Sequence, residues 1–528
     1  MKQMFTDLKL PLLLVALMSV CAVLVMPITP IDETRYMSAA WEMWTHHSFL
    51  VPYLNGEPYS HKPPMLFWLM HASWALFGVN DFTPRMIPGI FSLLNVLLVY
   101  RISLRLWPQE RKTACCAALV LASTSIWDAW SIIIMFDMVL TFWILLGLLG
   151  TLRAADSKRG GWLLLAAGVA GGLLTKGPAV LIYLLSIPLL RSAWDMRRTT
   201  PVRAKWYVGI LGAVALGFAA ALLWVIPAVI QGGEAYRQAI LWGQTAGRIT
   251  SSFAHRLPFW WYLPIVPILF FPWILFRPSF AKLSLKTADT GTRFCLAWLA
   301  LPLIIFSMIS GKQVHYLIPF IPAGALLIGR NIAKAEGAAG KSSVKAFGIL
   351  FLLLGLIAPI LPLINFGEDI GKLPSGSTYI ASAGLLIAGL FLLIPSRSPD
   401  RAATRLALGI TAVLLFGLCQ AGKSFIEQYR MKEVAMRIKS EMDAGRTVAN
   451  IGNYHGQYQF LGRLEKPIIE TEEQSPEDIN RFVNSHSGAL FISYKHETNE
   501  LPDGANVRYI HAYRGRSVIL WDRNPDRP

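Results

Sequence analysis

The feature that most constrains this chain is the recurrence of apolar runs, many of them about 17–23 residues long, from Leu8 to Leu418. A run of that length crosses roughly 30 Å of hydrocarbon as an α-helix. Backbone in hydrocarbon must satisfy its own hydrogen bonds, so repeated runs of this kind demand a helical bundle. Composition agrees: 54% of the residues are hydrophobic and 15% are charged, whereas a soluble chain carries about 25% charged residues. The fold class expected is therefore a polytopic, all-α membrane protein.

Thirteen spans are predicted, near 8–28, 82–104, 112–130, 133–153, 162–175, 177–193, 206–230, 257–277, 292–310, 314–330, 344–366, 377–395 and 403–421. The fifth and sixth are short and interrupted by glycine and proline, as broken or tilted helices would be. Residues 8–28 resemble a signal peptide in part, but no small-x-small cleavage pattern follows Val25, and the run is long enough to span. The five cysteines lie in or beside apolar runs without metal-type spacing, so neither disulfides nor a cysteine metal site is expected.

The net charge of +17 resolves into a topology. With the N-terminus inside, every inner loop is basic, from Arg105, Arg111 and Lys112 to Arg397, Arg401 and Arg405. This spread excludes a nucleic-acid binder, which would concentrate its charge in a soluble domain. An odd number of spans places the C-terminus outside. Three outer segments are long. Residues 29–81 hold amphipathic stretches at 35–44 and 65–77, suited to a membrane surface, and residues 231–256 form a second outer loop. The third, 422–528, is polar. It reads as a small α/β domain, with helices at 424–444 and 475–484 and strands at 447–454, 489–494 and 517–521.

The outer side collects the residues able to do chemistry. Asp32, Glu33, Arg35 and Tyr36 follow the first span directly. The two acids suit a helix start, which favours negative charge. They also suit a catalytic carboxylate, with Arg35 holding an anion. Lys62 precedes Pro63 and Pro64, so it is either a snorkelling anchor or a stiffly held point charge for a phosphate. His61 beside it is a possible metal ligand. Asp137 lies near the outer end of a span, where a carboxylate marks a functional site unless it merely caps the helix. Lys176 turns between two apolar spans. Arg248, His255 and Arg256 occupy the second outer loop, before an aromatic run at 259–262 that suits a membrane-interface belt. Lys312 and Tyr316 turn between later spans.

At these residues the chain resembles the bacterial lipid A aminoarabinose transferases, in the GT-C superfamily that also contains the protein O-mannosyltransferases. The motifs are the run 32–36, the Lys62-Pro63 pair, Thr175-Lys176-Gly177, His255-Arg256-x-Pro-Phe-Trp-x-Tyr and Gly311-Lys312…Tyr316. The likeness runs in order from residue 1 to about 330, and the shared layout extends it weakly to the end. It implies a GT-C bundle with a C-terminal α/β periplasmic domain. It further implies transfer of a sugar, 4-amino-4-deoxy-L-arabinose or a similar one, from undecaprenyl phosphate to lipid A or a related acceptor at the periplasmic face of the inner membrane. Asp32 maps to the catalytic centre, as base or orienting group, with Glu33 and Asp137 as further carboxylates. Lys62 maps to the phosphate-binding lysine, with Arg35, Tyr36, Tyr316, Lys312, Lys176 and Arg256 as helpers. One departure concerns metal. The residue before that lysine is typically acidic in the aminoarabinose enzymes, where it is implicated in metal binding, and here it is His61. Zinc would then rest on His61 and His255. Two other readings stay open: a transferase acting on protein or another envelope acceptor, and a lipid-linked-sugar flippase. A flippase needs a polar path through the membrane, and the spans carry few charges at mid-depth.

Overall fold

A computed structural model describes residues 2–197, 202–240, 257–280, 288–335, 341–359, 375–424, 426–471, 475–497 and 500–523. The first helices are α1 (Lys2–Val25), α2 (Asp32–Thr45), α3 (Met65–Phe77), α4 (Phe82–Leu106), α5 (Arg111–Leu121), α6 (Ser125–Ser131), α7 (Asp137–Ala155) and α8 (Gly161–Lys176). Long helices follow at Ala204–Gln238, Thr290–Met308, Ile321–Lys334, Ser375–Leu393 and Pro399–Ser424. Among the described residues, eight helices are long and apolar enough to cross a membrane, or nine if the bent pair α5–α6 counts as one span. The chain is a multi-pass helical membrane protein.

Two regions depart from simple rods. Gly161–Leu189 has the length of one span, yet the chain doubles back at Gly177. Beyond the turn, Arg191 Nη2 donates to the carbonyl of Ala155, 3.0 Å away, the last residue of α7 and just before α8 begins. Gly177 sits at φ +70°, a conformation that glycine adopts without strain. The sequence between 257 and 277, expected as a span, is instead a series of short turns at Phe259–Tyr262, Ile265–Leu269 and Trp273–Leu275. Pro258, Pro264, Pro267 and Pro272 remove backbone donors at close intervals and prevent a continuous helix.

The two ends of the bundle differ. At one end the basic loops are paired with acids: Arg111 with Asp7 at 2.6 Å, Arg105 with Asp156 at 2.9 Å, Lys112 with Asp400 at 2.9 Å. Arg330 there bridges Glu110 at 2.8 Å and Asp289 at 2.6 Å. At the other end lie the amphipathic helices α2 and α3, joined by a hairpin of β1 (Tyr53–Leu54) and β2 (Glu57–Pro58).

A five-stranded sheet covers that second end. Its strands are β3 (Val448–Ile451), β4 (Ile469–Thr471), β5 (Leu490–Lys495), β6 (Ala505–Tyr513) and β7 (Arg516–Arg523), in the order β4-β3-β5-β7-β6. β3 is parallel to β4 and β5, and the β5–β7–β6 half is antiparallel. The expected tail helices appear at Lys432–Asp443 and Pro476–Ser485, while β4 and β6 add strands that alternation alone did not reveal. Tyr36, Met37 and Met43 of α2 share one apolar core with Val434, Ile438 and Phe460 of the tail. The tail is thus seated directly on the helix that carries Asp32.

Candidate active site

The site begins where α1 ends. Asp32 and Glu33 form the first turn of α2, and neither side chain caps it. Their fates diverge because successive helix positions point about 100° apart. Glu33 turns inward and is 1% exposed. It accepts five hydrogen bonds: two from Arg85 at 2.9 Å, two from Thr29 at 2.7 and 2.6 Å, and one from the Ile134 amide at 2.8 Å. Arg85 in turn donates to the carbonyls of Pro27 and Ile132. This buried bidentate pair bolts together the end of α1, the start of α2, α4 and the segment leading into α7. Such a carboxylate has no lone pair left for a substrate.

Asp32 points the other way and its side chain is 52% exposed. Its contacts are long: 3.7 Å to Arg35 and 3.5 Å to the Tyr36 hydroxyl. Tyr36 is buried, and burial followed by the Asp32 charge pushes its phenol pKa well up, so it stays protonated as a donor. Its ring meets Phe136 edge-on at 5.0 Å. The Lys62 ammonium lies 5.9 Å from the Tyr36 ring and 5.5 Å from the Phe136 ring. Aromatic faces of this kind hold a cation in place while leaving its hydrogens directed elsewhere.

Phe136 leads to Asp137, the first residue of α7, which is 1% exposed. Lys176 closes on its Oδ1 at 2.6 Å, and Lys62 and His315 add their fields to the same carboxylate. Among the described residues its Oδ2 has no hydrogen-bond partner. Lys176 also sits 5.3 Å from the ring of Tyr316, whose backbone carbonyl accepts from the Tyr183 hydroxyl at 2.7 Å. A continuous surface therefore runs through Asp32, Tyr36, Lys62, Asp137, Lys176 and Tyr316, drawn from five separated stretches of chain.

Other expected residues fall outside that surface. Lys312 is buried and donates to the carbonyls of Leu257 and Ile309, at 3.0 and 2.6 Å. Burial lowers its pKa. It ties a turn together rather than reaching toward Lys62. His61 is exposed, its ring 5.1 Å from that of Tyr59. Among the described residues, no three His, Cys, Asp or Glu side chains gather as a metal site. His255 and Arg256 lie outside the described residues. Arg85 was missed by the sequence reading, although an arginine early in an apolar run is itself a signal.

Residues 61–224 fit the family model described as dolichyl-phosphate-mannose-protein mannosyltransferase. An undecaprenyl phosphate-alpha-4-amino-4-deoxy-L-arabinose arabinosyl transferase of Erwinia tasmaniensis is 29% identical, covering 93% of this chain and 94% of that one. Its counterpart in Pseudomonas fluorescens is 30% identical, over 62% of this chain and 60% of that relative's length. The solved structure of ArnT from Cupriavidus metallidurans bound to undecaprenyl phosphate superposes with a TM-score of 0.78 at 17% identity, covering 97% of this chain and 99% of that one. In sequence this chain is similar to the undecaprenyl phosphate-alpha-4-amino-4-deoxy-L-arabinose arabinosyl transferases, and in fold it is similar to ArnT.

Proposed function

We propose that this protein is a glycosyltransferase. It moves 4-amino-4-deoxy-L-arabinose, or a similar sugar, from undecaprenyl phosphate to lipid A or a related envelope acceptor. The observation that carries the reading is the gathering of Lys62 and Lys176 around Tyr36 and Asp137, beside the exposed Asp32. The Erwinia and Cupriavidus relatives are named for, or bound to, an undecaprenyl-phosphate compound.

Chemistry follows from the leaving group. As the glycosidic bond breaks, negative charge grows on the lipid phosphate, and preorganised cations there lower the barrier. Lys62, on its aromatic seat, is the leading phosphate ligand. Arg35 helps from α2 and Lys176 from the far wall, with Tyr36 and Tyr316 shaping the space between. The sugar carbon becomes electron-poor, and the exposed carboxylate Asp32, with the buried Asp137 behind it, stabilises it. A phosphate monoester acceptor is already ionised at neutral pH and needs no base, whereas a hydroxyl acceptor needs one, and Asp32 is placed to serve. Glu33 acts by holding Asp32 in place. Arg256 would add a further cation for the donor phosphate, and His61 and His255 would be the ligands of a metal ion were one bound.

The orientation proposed is a cytoplasmic N-terminus, thirteen crossings, the one at 257–277 made by short turns rather than one continuous helix, a site facing the periplasm and a periplasmic α/β domain at 422–528 on a catalytic domain at 1–421. A C-terminal reporter active only in the periplasm is the expected result, and activity only in the cytoplasm overturns the span count. The match of 61–224 to protein mannosyltransferases favours one second reading, transfer to protein hydroxyls. Mass spectrometry of lipid A and of envelope proteins, with and without the gene, separates the two. Loss of an aminopentose from lipid A is expected. Loss of sugar from proteins alone overturns the lipid acceptor, and no change in either favours a flippase.

A further inference from the structure

The hairpin of β1 and β2 lies between α2 and the tail. It has two residues in each strand, and a two-stranded hairpin is marginally stable by itself. Its tip is Asn55-Gly56, at φ +56° and +83°, the residue pair that a tight two-residue turn prefers. The tip is held from two sides. On one side the buried carboxylate of Glu42, on α2, accepts from the Asn55 and Gly56 amides at 2.6 and 2.9 Å. On the other, the tail engages the whole Asn55 side chain. Its Nδ2 donates to the Ile468 carbonyl at 2.8 Å. Its Oδ1 accepts from the Ile468 amide at 2.8 Å and from Gln459 Nε2 at 2.7 Å. Gln459 is fixed in turn by accepting from the Tyr454 hydroxyl. The tail also lies against β1: the Gly456 carbonyl accepts from Ser38 Oγ of α2 at 2.6 Å, and a Cβ on Gly456 would stand 2.4 Å from Leu54.

The base of the hairpin leads to Lys62. The Tyr59 amide donates to the Pro52 carbonyl at 2.7 Å and closes that base. Tyr59 is buried in the same apolar core as Tyr36 and Phe136, the two rings beside which the Lys62 ammonium rests. Lys62 comes three residues later, and Pro63 and Pro64 stiffen the chain before α3 begins at Met65. Phe67 of α3 meets Phe136 edge-on at 5.8 Å. Lys62 therefore stands on a short bracket, fixed at one end by α3 and at the other by the hairpin. A shift of the hairpin is passed on to the ammonium, and a misplacement of about 1 Å can cost about a hundredfold in rate.

We infer that Asn55 and Gln459 are positioning residues for the donor-phosphate lysine: through them the tail clamps the hairpin, and the hairpin sets where Lys62 stands. The inference rests on the reading of Lys62 as ligand of the donor phosphate, and it gives the tail a part in donor binding. Asparagine suits the tip for two reasons. It tolerates positive φ, and its amide both donates and accepts, so that one side chain pairs with both backbone groups of Ile468.

The test measures equilibrium binding of undecaprenyl phosphate to the full-length protein in lipid nanodiscs. Asn55→Gly keeps the turn, because glycine adopts positive φ freely, and removes the clamp. Gln459→Ala cuts the same clamp from the tail. Each should weaken binding about tenfold. The two together should bind no more weakly than either alone, because both cut one connection. Either one added to Lys62→Ala should cost nothing further. A residue that merely stabilises the tail would lower the unfolding temperature without this dependence on Lys62. Gln459→Ala keeps the test decisive if Asn55→Gly misfolds. Wild-type affinity in the clamp variants, with Lys62→Ala weakened, overturns the clamp and leaves the lysine's role intact. A loss that adds to that of Lys62→Ala also overturns it, because the clamp then acts elsewhere. Wild-type affinity in Lys62→Ala itself sinks the donor-phosphate reading and the clamp together.

Discussion

Two acid–base pairs face the site from opposite walls, and they are built differently. Asp137 and Lys176 stand in the helical wall, 2.6 Å apart, with the acid 1% exposed and the lysine 12% exposed. Asp32 and Arg35 stand on the wet wall, 3.7 Å apart, with the acid 52% exposed. In the dry wall an unpaired charge carries a large desolvation cost, so the pair must be tight. On the wet wall water already solvates each partner, and the pair contributes little to stability. The loose pair can therefore exchange its partner for substrate, and the tight pair is first of all architecture. Glu33 makes the contrast sharper, because it neighbours Asp32 in sequence but belongs with the buried kind.

The largest effects separate chemistry from fold. Asp32→Asn should cut transfer by about 10²–10⁴-fold if a base is required, with membrane insertion and thermal stability unchanged. Lys62→Ala should likewise remove activity and spare the fold. Near-normal turnover of both variants in the reconstituted assay breaks the wet-wall assignment. Arg85→Leu should do the reverse of Asp32→Asn. Stranding Glu33 should cost about 3–5 kcal/mol of stability, seen as a lower unfolding temperature in detergent. A fully stable Arg85→Leu protein would remove the distinction between the two neighbouring carboxylates.

A finer test uses the dry pair itself. Lys176→Met leaves Asp137 buried without its counter-ion, and adding Asp137→Asn should restore part of the lost stability. The coupling expected from such a cycle is about 0.5–3 kcal/mol. Activity should not return, because the phosphate would still lack a cation. Additive stabilities would show that the two side chains do not share their charge. The smallest effect lies in the tail. Burial opposes ionisation of Asp522, yet Arg446 at 2.7 Å and Arg508 at 2.8 Å overcome it and hold its pKa below the usual value. A depressed folded-state pKa stabilises the fold above the unfolded value of about 3.9, and that stability is lost as pH falls through the folded value. Thermal unfolding followed by the neighbouring Trp521 from pH 6 to pH 3 should therefore decline more steeply in wild type than in Asp522→Asn. Parallel curves would remove this pair from the class of tight ones.

Legibility of the site followed the same division. Asp32, Lys62, Asp137 and Lys176 stood out because charge beside long apolar runs is rare, and rarity is visible in one dimension. Arg85 escaped notice near the start of a mostly apolar helix. Lys312 was overvalued, since the carbonyls of Leu257 and Ile309 that absorb it are distant or featureless in sequence. The tail's strands at 469–471 and 505–513 were not read, because a short edge strand and a half-exposed hairpin arm carry weak alternation.

By itself the sequence determined that the chain is a multi-pass helical membrane protein, because hydrocarbon accepts little other than long apolar helices. It also determined the family likeness, because those motifs keep their order and spacing. Tertiary structure alone decided which carboxylate is spent on architecture. Asp32 and Glu33 are equivalent as letters, and only the packing of α4 against the end of α1 gives Glu33 its arginine. It alone also seated the loop at Gly456 on Ser38 of α2. The two are 418 residues apart along the chain, and no local propensity encodes a contact across that distance.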